Sequence, residues 1–195
     1  MVRALLAVAL AALPVDEAPG SPPDVPVLIV RGGGWAGSGV VWDAAAHRVL
    51  TALHVVEEMP PDAIEVVACG VRLAARIVDR EPLLDLALLE VAGPLEAGPP
   101  LGMAAALLPG DVIALAGCPR ARCSRGDGQV IAPARPFAGS RYLAVLGEAR
   151  PGASGGVVLD GHGAVVGIID LALLREPGVA LAVPIEFAMR RFPRS

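Results

Sequence analysis

Gly152-Ala153-Ser154-Gly155-Gly156-Val157-Val158-Leu159 sets a hydroxyl between glycines at the mouth of an apolar strand. Glycine reaches backbone conformations that other residues avoid, and it leaves N–H groups free to point into a site. Alone, the stretch also fits an ordinary Gly-Ser turn. Two upstream segments change its weight. Val49-Leu50-Thr51-Ala52-Leu53-His54-Val55-Val56 ends an apolar strand on an imidazole. Asp85-Leu86-Ala87-Leu88-Leu89 opens another on a carboxylate, which either faces water at the strand end or needs a partner, because burying an unpaired charge costs several kcal/mol. An imidazole, a carboxylate and a glycine-framed serine are the residue types from which a nucleophile, its base and the group that orients the base can be built.

The rest of the chain tells what carries them. Hydrophobic residues make up 54% of the 195, ample for a packed core, which excludes disorder as the main state. Net charge is −4 with no long basic run, and aromatics are only 3%, so neither a phosphate-binding face nor a base-stacking platform is indicated. With 23 Gly and 19 Pro punctuating short runs of Val, Ile and Leu, the pattern is many strands joined by turns. Strands are expected at residues 27–31, 37–43, 48–52, 64–69, 71–78 and 84–91. After the linker-like residues 92–100, further strands follow at 112–116, 129–134, 142–146, 156–159, 164–171 and 179–184. A short helix over 186–192 closes the chain. Such repetition points to barrels or sandwiches. Gly32-Gly33-Gly34 has no helix after it, so it is no phosphate loop.

Met1-Val2-Arg3, then an unbroken apolar run from Ala4 to Leu13, has the form of a secretory leader, and residues 1–18 are expected to be removed on export. The run is too short for an ordinary membrane-spanning helix. Cys118-Pro119-Arg120-Ala121-Arg122-Cys123 suits a local disulfide in an exported protein and two loop thiols otherwise. Cys69 stands apart, and His47, His54 and His162 lack the spacing of metal ligands, so no metal or other cofactor is expected.

These motifs resemble those of trypsin-fold serine proteases, and most of all the HtrA (Deg) branch. Gly37-Ser38-Gly39-Val40-Val41 is similar to the strand before the family's histidine, and Leu50 to Val56 to the histidine motif itself. Asp85 to Leu89 and Pro151 to Gly156 resemble the aspartate motif and the nucleophile loop. Gly110 to Pro119, Gly163 to Ile168 and Leu181 to Ile185 resemble strands of the second barrel. The resemblance covers roughly residues 25 to 192. It implies an all-β fold of two six-stranded Greek-key barrels of the chymotrypsin/trypsin type with a short C-terminal helix. Residues 19–95 would form the N-terminal barrel, with His54 and Asp85, and residues 96–195 the C-terminal barrel, with Ser154. The implied activity is that of a serine endopeptidase acting on polypeptides outside the cytoplasm, with Gly152 and Ser154 N–H groups as oxyanion donors. Neither nucleic acid nor stable membrane insertion is expected.

The departures from the family pattern matter. Ala153 stands where trypsin-like enzymes have an acid, so activation by a newly cut N-terminal ammonium is not supported. The peptide-binding PDZ domain common in HtrA proteins is not expected after the protease-like region. For the primary specificity pocket, Ile168, Ile169, Asp170, Leu171, Leu181 and Val183 are candidate walls or edge, implying aliphatic residues before the cut. Glu148 lies at the offset of the acid that selects Lys and Arg in trypsin-like enzymes, but Arg150 is close enough in sequence to neutralise it. The rival reading is a non-catalytic peptide binder using the same cleft. A hydrolase built on Cys118 is disfavoured, because Cys118-Pro119 has no glycine frame.

Overall fold

The structure, a computed structural model, describes residues 28–32, 35–60, 62–68, 70–172 and 176–195. The expected leader at residues 1–18 and Cys69 lie outside the described residues.

Twelve strands form two closed antiparallel barrels. The first comprises β1 (Leu28–Gly32), β2 (Trp35–Asp43), β3 (Arg48–Ala52), β4 (Glu65–Ala68), β5 (Val71–Glu81) and β6 (Leu86–Val91). The second comprises β7 (Val112–Gly117), β8 (Ser124–Phe137), β9 (Ser140–Leu146), β10 (Val157–Leu159), β11 (Val165–Ala172) and β12 (Val179–Pro184). Each closes in one order: first, second, third, sixth, fifth, fourth strand. Closure leaves no long sheet edge to pair with another chain. The helix α1 (Ile185–Arg191) follows β12 directly.

The apolar runs of the sequence do not alternate cleanly with polar residues, and the packing explains why. Strands between the barrels are buried on both faces. In β3, Val49 faces the core of the first barrel while Leu50 joins a cluster shared by both barrels. In β11, Ile168 belongs to that shared cluster and Ile169 to the core of the second barrel. Burying a side chain of this size stabilises by about 1.5–3 kcal/mol, so the shared cluster locks the barrels together. The C-terminus adds a strap. Phe192 is buried in the shared cluster, and its carbonyl accepts a hydrogen bond from Trp42 Nε1 at 2.9 Å. Arg191 reaches Asp79 and Glu81 of β5, at 2.6 and 3.1 Å.

Several strand bounds differ from the sequence reading, β5 running on to Glu81 among them, and two starts bear on the site. β8 begins at Ser124, not near residue 129, because Cys118 and Cys123 are joined in a disulfide that turns the chain back against β7. Gly128 is needed in the new stretch, since a Cβ there would lie 2.5 Å from the Leu146 carbonyl oxygen. β6 begins at Leu86 rather than residue 84, because Pro82–Leu84 form a 3₁₀ turn that ends on Asp85 in the left-handed region, at φ 52°.

Candidate active site

His54 sits in a 3₁₀ turn, Leu53–Val55, where the chain leaves β3. Asp85 occupies the turn before β6, and β3 pairs with β6 from Arg48 to Ala52, so the sheet sets the two turns side by side. Asp is one of the few side chains that tolerates the left-handed conformation. There, Asp85 grips its neighbour three ways. Its carbonyl accepts from the Leu53 N–H at 2.8 Å, its Oδ1 from the His54 N–H at 2.9 Å, and its Oδ2 meets His54 Nδ1 in a short hydrogen bond. That bond, with the Asp85 charge behind it, raises the imidazole's pKa against the opposing effect of its own burial. His54 remains 43% exposed and borders a cleft of about 540 Å³, where Ser154 lies on the facing wall.

Backbone geometry, rather than charge, builds the facing wall. Gly152 has φ +96° and Gly155 φ +80°, conformations that strain any residue with a side chain. At Gly155 there is also no room: a Cβ would fall 2.1 Å from the Ser38 carbonyl oxygen. The Ala153 N–H is held by the Arg150 carbonyl and the Gly155 N–H by that of Ile169, each at 2.8 Å. The N–H groups of Gly152 and Ser154 donate to no acceptor among the described residues. The Ser154 hydroxyl donates to the Asp170 carbonyl oxygen at 3.2 Å, not to His54.

Ser38 has a part that its place in Gly37-Ser38-Gly39 does not announce. Fully buried in β2, it donates its hydroxyl to the Gly152 carbonyl and accepts from the Cys118 N–H, both at 2.7 Å. Its own N–H donates to the Ser154 carbonyl at 2.8 Å, and its carbonyl accepts from the Thr51 hydroxyl at 2.6 Å. One residue of the first barrel therefore fixes the Ser154 loop and the disulfide loop of the second. The only sequence signal is a serine between glycines in a strand.

The candidate specificity residues separate. Ile168, Ile169, Leu181 and Val183 are buried in core clusters. Ile169 also borders, with Glu148, a smaller cavity of about 210 Å³, and Leu171 is half-buried against the shared cluster. Glu148 is exposed and doubly bonded to Arg150, at 2.7 and 2.8 Å, which holds its carboxyl below the usual range. Asp170 lies elsewhere than a pocket rim: its side chain turns inward to His54, with Oδ1 4.0 Å from Nδ1. His54, Asp85 and Asp170 offer ligand atoms within 4.8 Å of one another, but the nitrogen a cation would need is the one bonded to Asp85.

Residues 37–168 match the family model of the trypsin-like peptidase domain. The chain belongs to the trypsin-like peptidase family. No curated protein matches its sequence. Among solved structures, an inactive form of the protease Rv3671c from M. tuberculosis H37Rv is similar at 20% identity and a TM-score of 0.74, over 91% of this chain and 87% of that one. The HtrA-type protease AlgW with a decapeptide is similar at 25% identity and 0.73, and an AlgW variant with a tripeptide at 25% and 0.77. These matches cover 81% and 87% of this chain but 52% and 59% of the AlgW chains. In this peptidase fold, both walls of the cleft come from loops at strand ends, one from each barrel. Among the described residues no helix is long and apolar enough to cross a membrane.

Proposed function

We propose that the protein is a serine endopeptidase that cleaves polypeptides through a covalent acyl-enzyme. The observation that carries this is the pairing of His54 with Asp85 at one cleft with a glycine-framed serine, where the Gly152 and Ser154 N–H groups donate to no acceptor among the described residues. On substrate binding, the Ser154 hydroxyl turns from the Asp170 carbonyl to His54 Nε2. Ser154 Oγ then attacks the scissile carbonyl carbon while its proton passes to Nε2. Asp85 keeps Nδ1–H oriented and stabilises the imidazolium. The carbonyl oxygen, now negative, takes hydrogen bonds from the Gly152 and Ser154 N–H groups. Collapse expels the amine with the proton from Nε2, leaving an ester on Ser154. Water, activated by the same imidazole, releases the acid and restores the hydroxyl.

The substrate class follows from what the cleft offers. Its lining includes Val55, Met59, Pro60 and Pro151, an apolar surface for extended peptide. The Glu148 charge is met by Arg150, so cleavage after Val, Ala or Leu is favoured over cleavage after Lys or Arg. Export is part of the reading: the leader-like N-terminus and the Cys118–Cys123 disulfide both suit an oxidising compartment.

One observation favours the rival, a non-catalytic binder: the resting Ser154 hydroxyl is bonded away from His54. A fluorophosphonate probe separates the two. The peptidase gains one adduct, on Ser154, and Ser154→Ala gains none. A well-folded wild type that stays unlabelled at any pH is a binder.

A further inference from the structure

Asp170 is a second carboxyl inside the site, and the reaction as written does not use it. It is the extra residue of a β-bulge. Ile169 pairs with Ala182 and Leu171 with Leu181, so Asp170 has no partner across β12. Bulges re-aim single side chains, and this one turns a carboxyl inward until it is only 6% exposed. The groups that face it are Asp85 from the turn before β6, His54 from the turn after β3, and the Tyr142 hydroxyl from β9. No Lys or Arg is among them. A buried carboxylate against a second carboxylate, with only a titratable imidazole to offset the two charges, is driven toward its protonated form. One of the two holds a proton. Asp85 accepts from the His54 N–H and meets Nδ1, so both of its oxygens are engaged as acceptors. That leaves Asp170 as the carboxyl placed to hold a proton.

We propose that Asp170 is a positioning residue: it carries a proton, donates it in a hydrogen bond to Asp85, and so holds Asp85 against His54. This rests on the peptidase reading of the same site. Burial, then the Asp85 charge, push the Asp170 carboxyl up to about 7. His54 is raised as well, and Asp170 is among the charges that raise it. The two groups interact, so the apparent values belong to the pair. The productive state has His54 neutral and Asp170 protonated. Acid removes the first condition and alkali the second. Loss of the Asp170 proton sets two carboxylates face to face and frees Asp85 to move.

The test compares wild type, Asp170→Asn and Asp170→Ala. Asparagine keeps a donor for Asp85 but cannot ionise. On the resting wild type, infrared spectroscopy should show a protonated-carboxyl band at about pH 6, where ordinary carboxyls are ionised. The band should fade through neutrality and be missing in Asp170→Asn. The downfield Nδ1–H resonance of His54 should weaken with that band in wild type and persist in alkali in Asp170→Asn. In kinetics, wild-type kcat/KM should be bell-shaped, falling by about tenfold per pH unit beyond the alkaline limb. Asp170→Asn should keep activity with that limb gone, and Asp170→Ala should be impaired at every pH. Absence of the carboxyl band in wild type overturns the proposal. So does a band with His54 resonances and pH profiles that are the same in wild type and Asp170→Asn. If no variant cleaves peptide yet both spectroscopic signatures behave as described, the peptidase reading fails and the proton-sharing pair stands.

Discussion

The two walls of the cleft are made by different physics. On the first barrel, charge and directional bonds do the work: Asp85 holds the backbone and ring of His54 from a left-handed turn. On the second barrel, the Ser154 loop, the proposed nucleophile wall, is a backbone sculpture. Two glycines at positive φ and the Ser38 clamp define where Ser154 and its N–H groups stand. The acid–base wall should therefore tolerate changes in shape and fail on changes in charge. The nucleophile wall should do the reverse.

The largest effect is expected from shape on the nucleophile wall. Gly155→Ala places a Cβ 2.1 Å from the Ser38 carbonyl and 2.4 Å from Thr51 Oγ1, in a strained conformation. Strain and overpacking together should cost about 2–5 kcal/mol, visible in chemical denaturation, and peptidase activity should vanish. The matching charge change on the other wall is Asp85→Asn. It should leave the fold intact while kcat falls about 10³–10⁴-fold, because the imidazole loses its tautomer and its support. Similar losses of stability in both variants would erase the distinction.

Ser38→Ala sharpens the comparison at its seam. It strips the Gly152 carbonyl and the Cys118 N–H of buried partners, which should cost about 1–3 kcal/mol. Activity should fall mainly in kcat, since the loop loses its setting rather than the substrate its contacts. A loss confined to KM would mean that Ser38 acts on binding instead.

Asp170→Asn tests charge in stability. The folded carboxyl ionises near 7, the unfolded one near its ordinary value, so the folded state holds a proton that the unfolded chain has released. Between those values stability falls as pH rises, and the penalty stays constant above. Asp170→Asn escapes it and should be more stable than wild type above neutrality, by on the order of a few kcal/mol at about 1.4 kcal/mol per pKa unit. The advantage should shrink steadily toward about pH 4. Denaturation midpoints across that range would show it, and a pH-independent difference would contradict the assignment. The smallest effect belongs to Glu148→Gln. Its carboxyl lies on the surface and is already paired with Arg150, so a peptide library should show unchanged residues before the cut. Loss of cleavage after Arg or Lys would make Glu148 the specificity residue.

The architecture was legible because closely packed barrels write their strands as short apolar runs between turn residues. The candidate site was legible in part, because an imidazole, a carboxylate and a serine at strand ends are unusual in so apolar a chain. What the sequence hides is what depends on register. The inward turn of Asp170 is set by one unpaired residue between Ile169 and Leu171, and nothing in Gly167-Ile168-Ile169-Asp170-Leu171 marks a bulge. The early start of β8 depends on the disulfide, a bond whose presence the spacing of Cys118 and Cys123 leaves open. Ser38 reads as one more small residue, since its partners lie 80 and 114 positions away.

The central claim is that the two walls work as one unit across the cleft, although the resting Ser154 hydroxyl is bonded to Asp170 and not to His54. The most direct measurement is a double-mutant cycle in kcat for peptide hydrolysis with Ser154→Ala and His54→Ala. The account predicts that each single variant loses nearly all activity and that the double variant is scarcely worse than either. Losses that multiply in the double variant would mean that Ser154 and His54 act independently, and would contradict it.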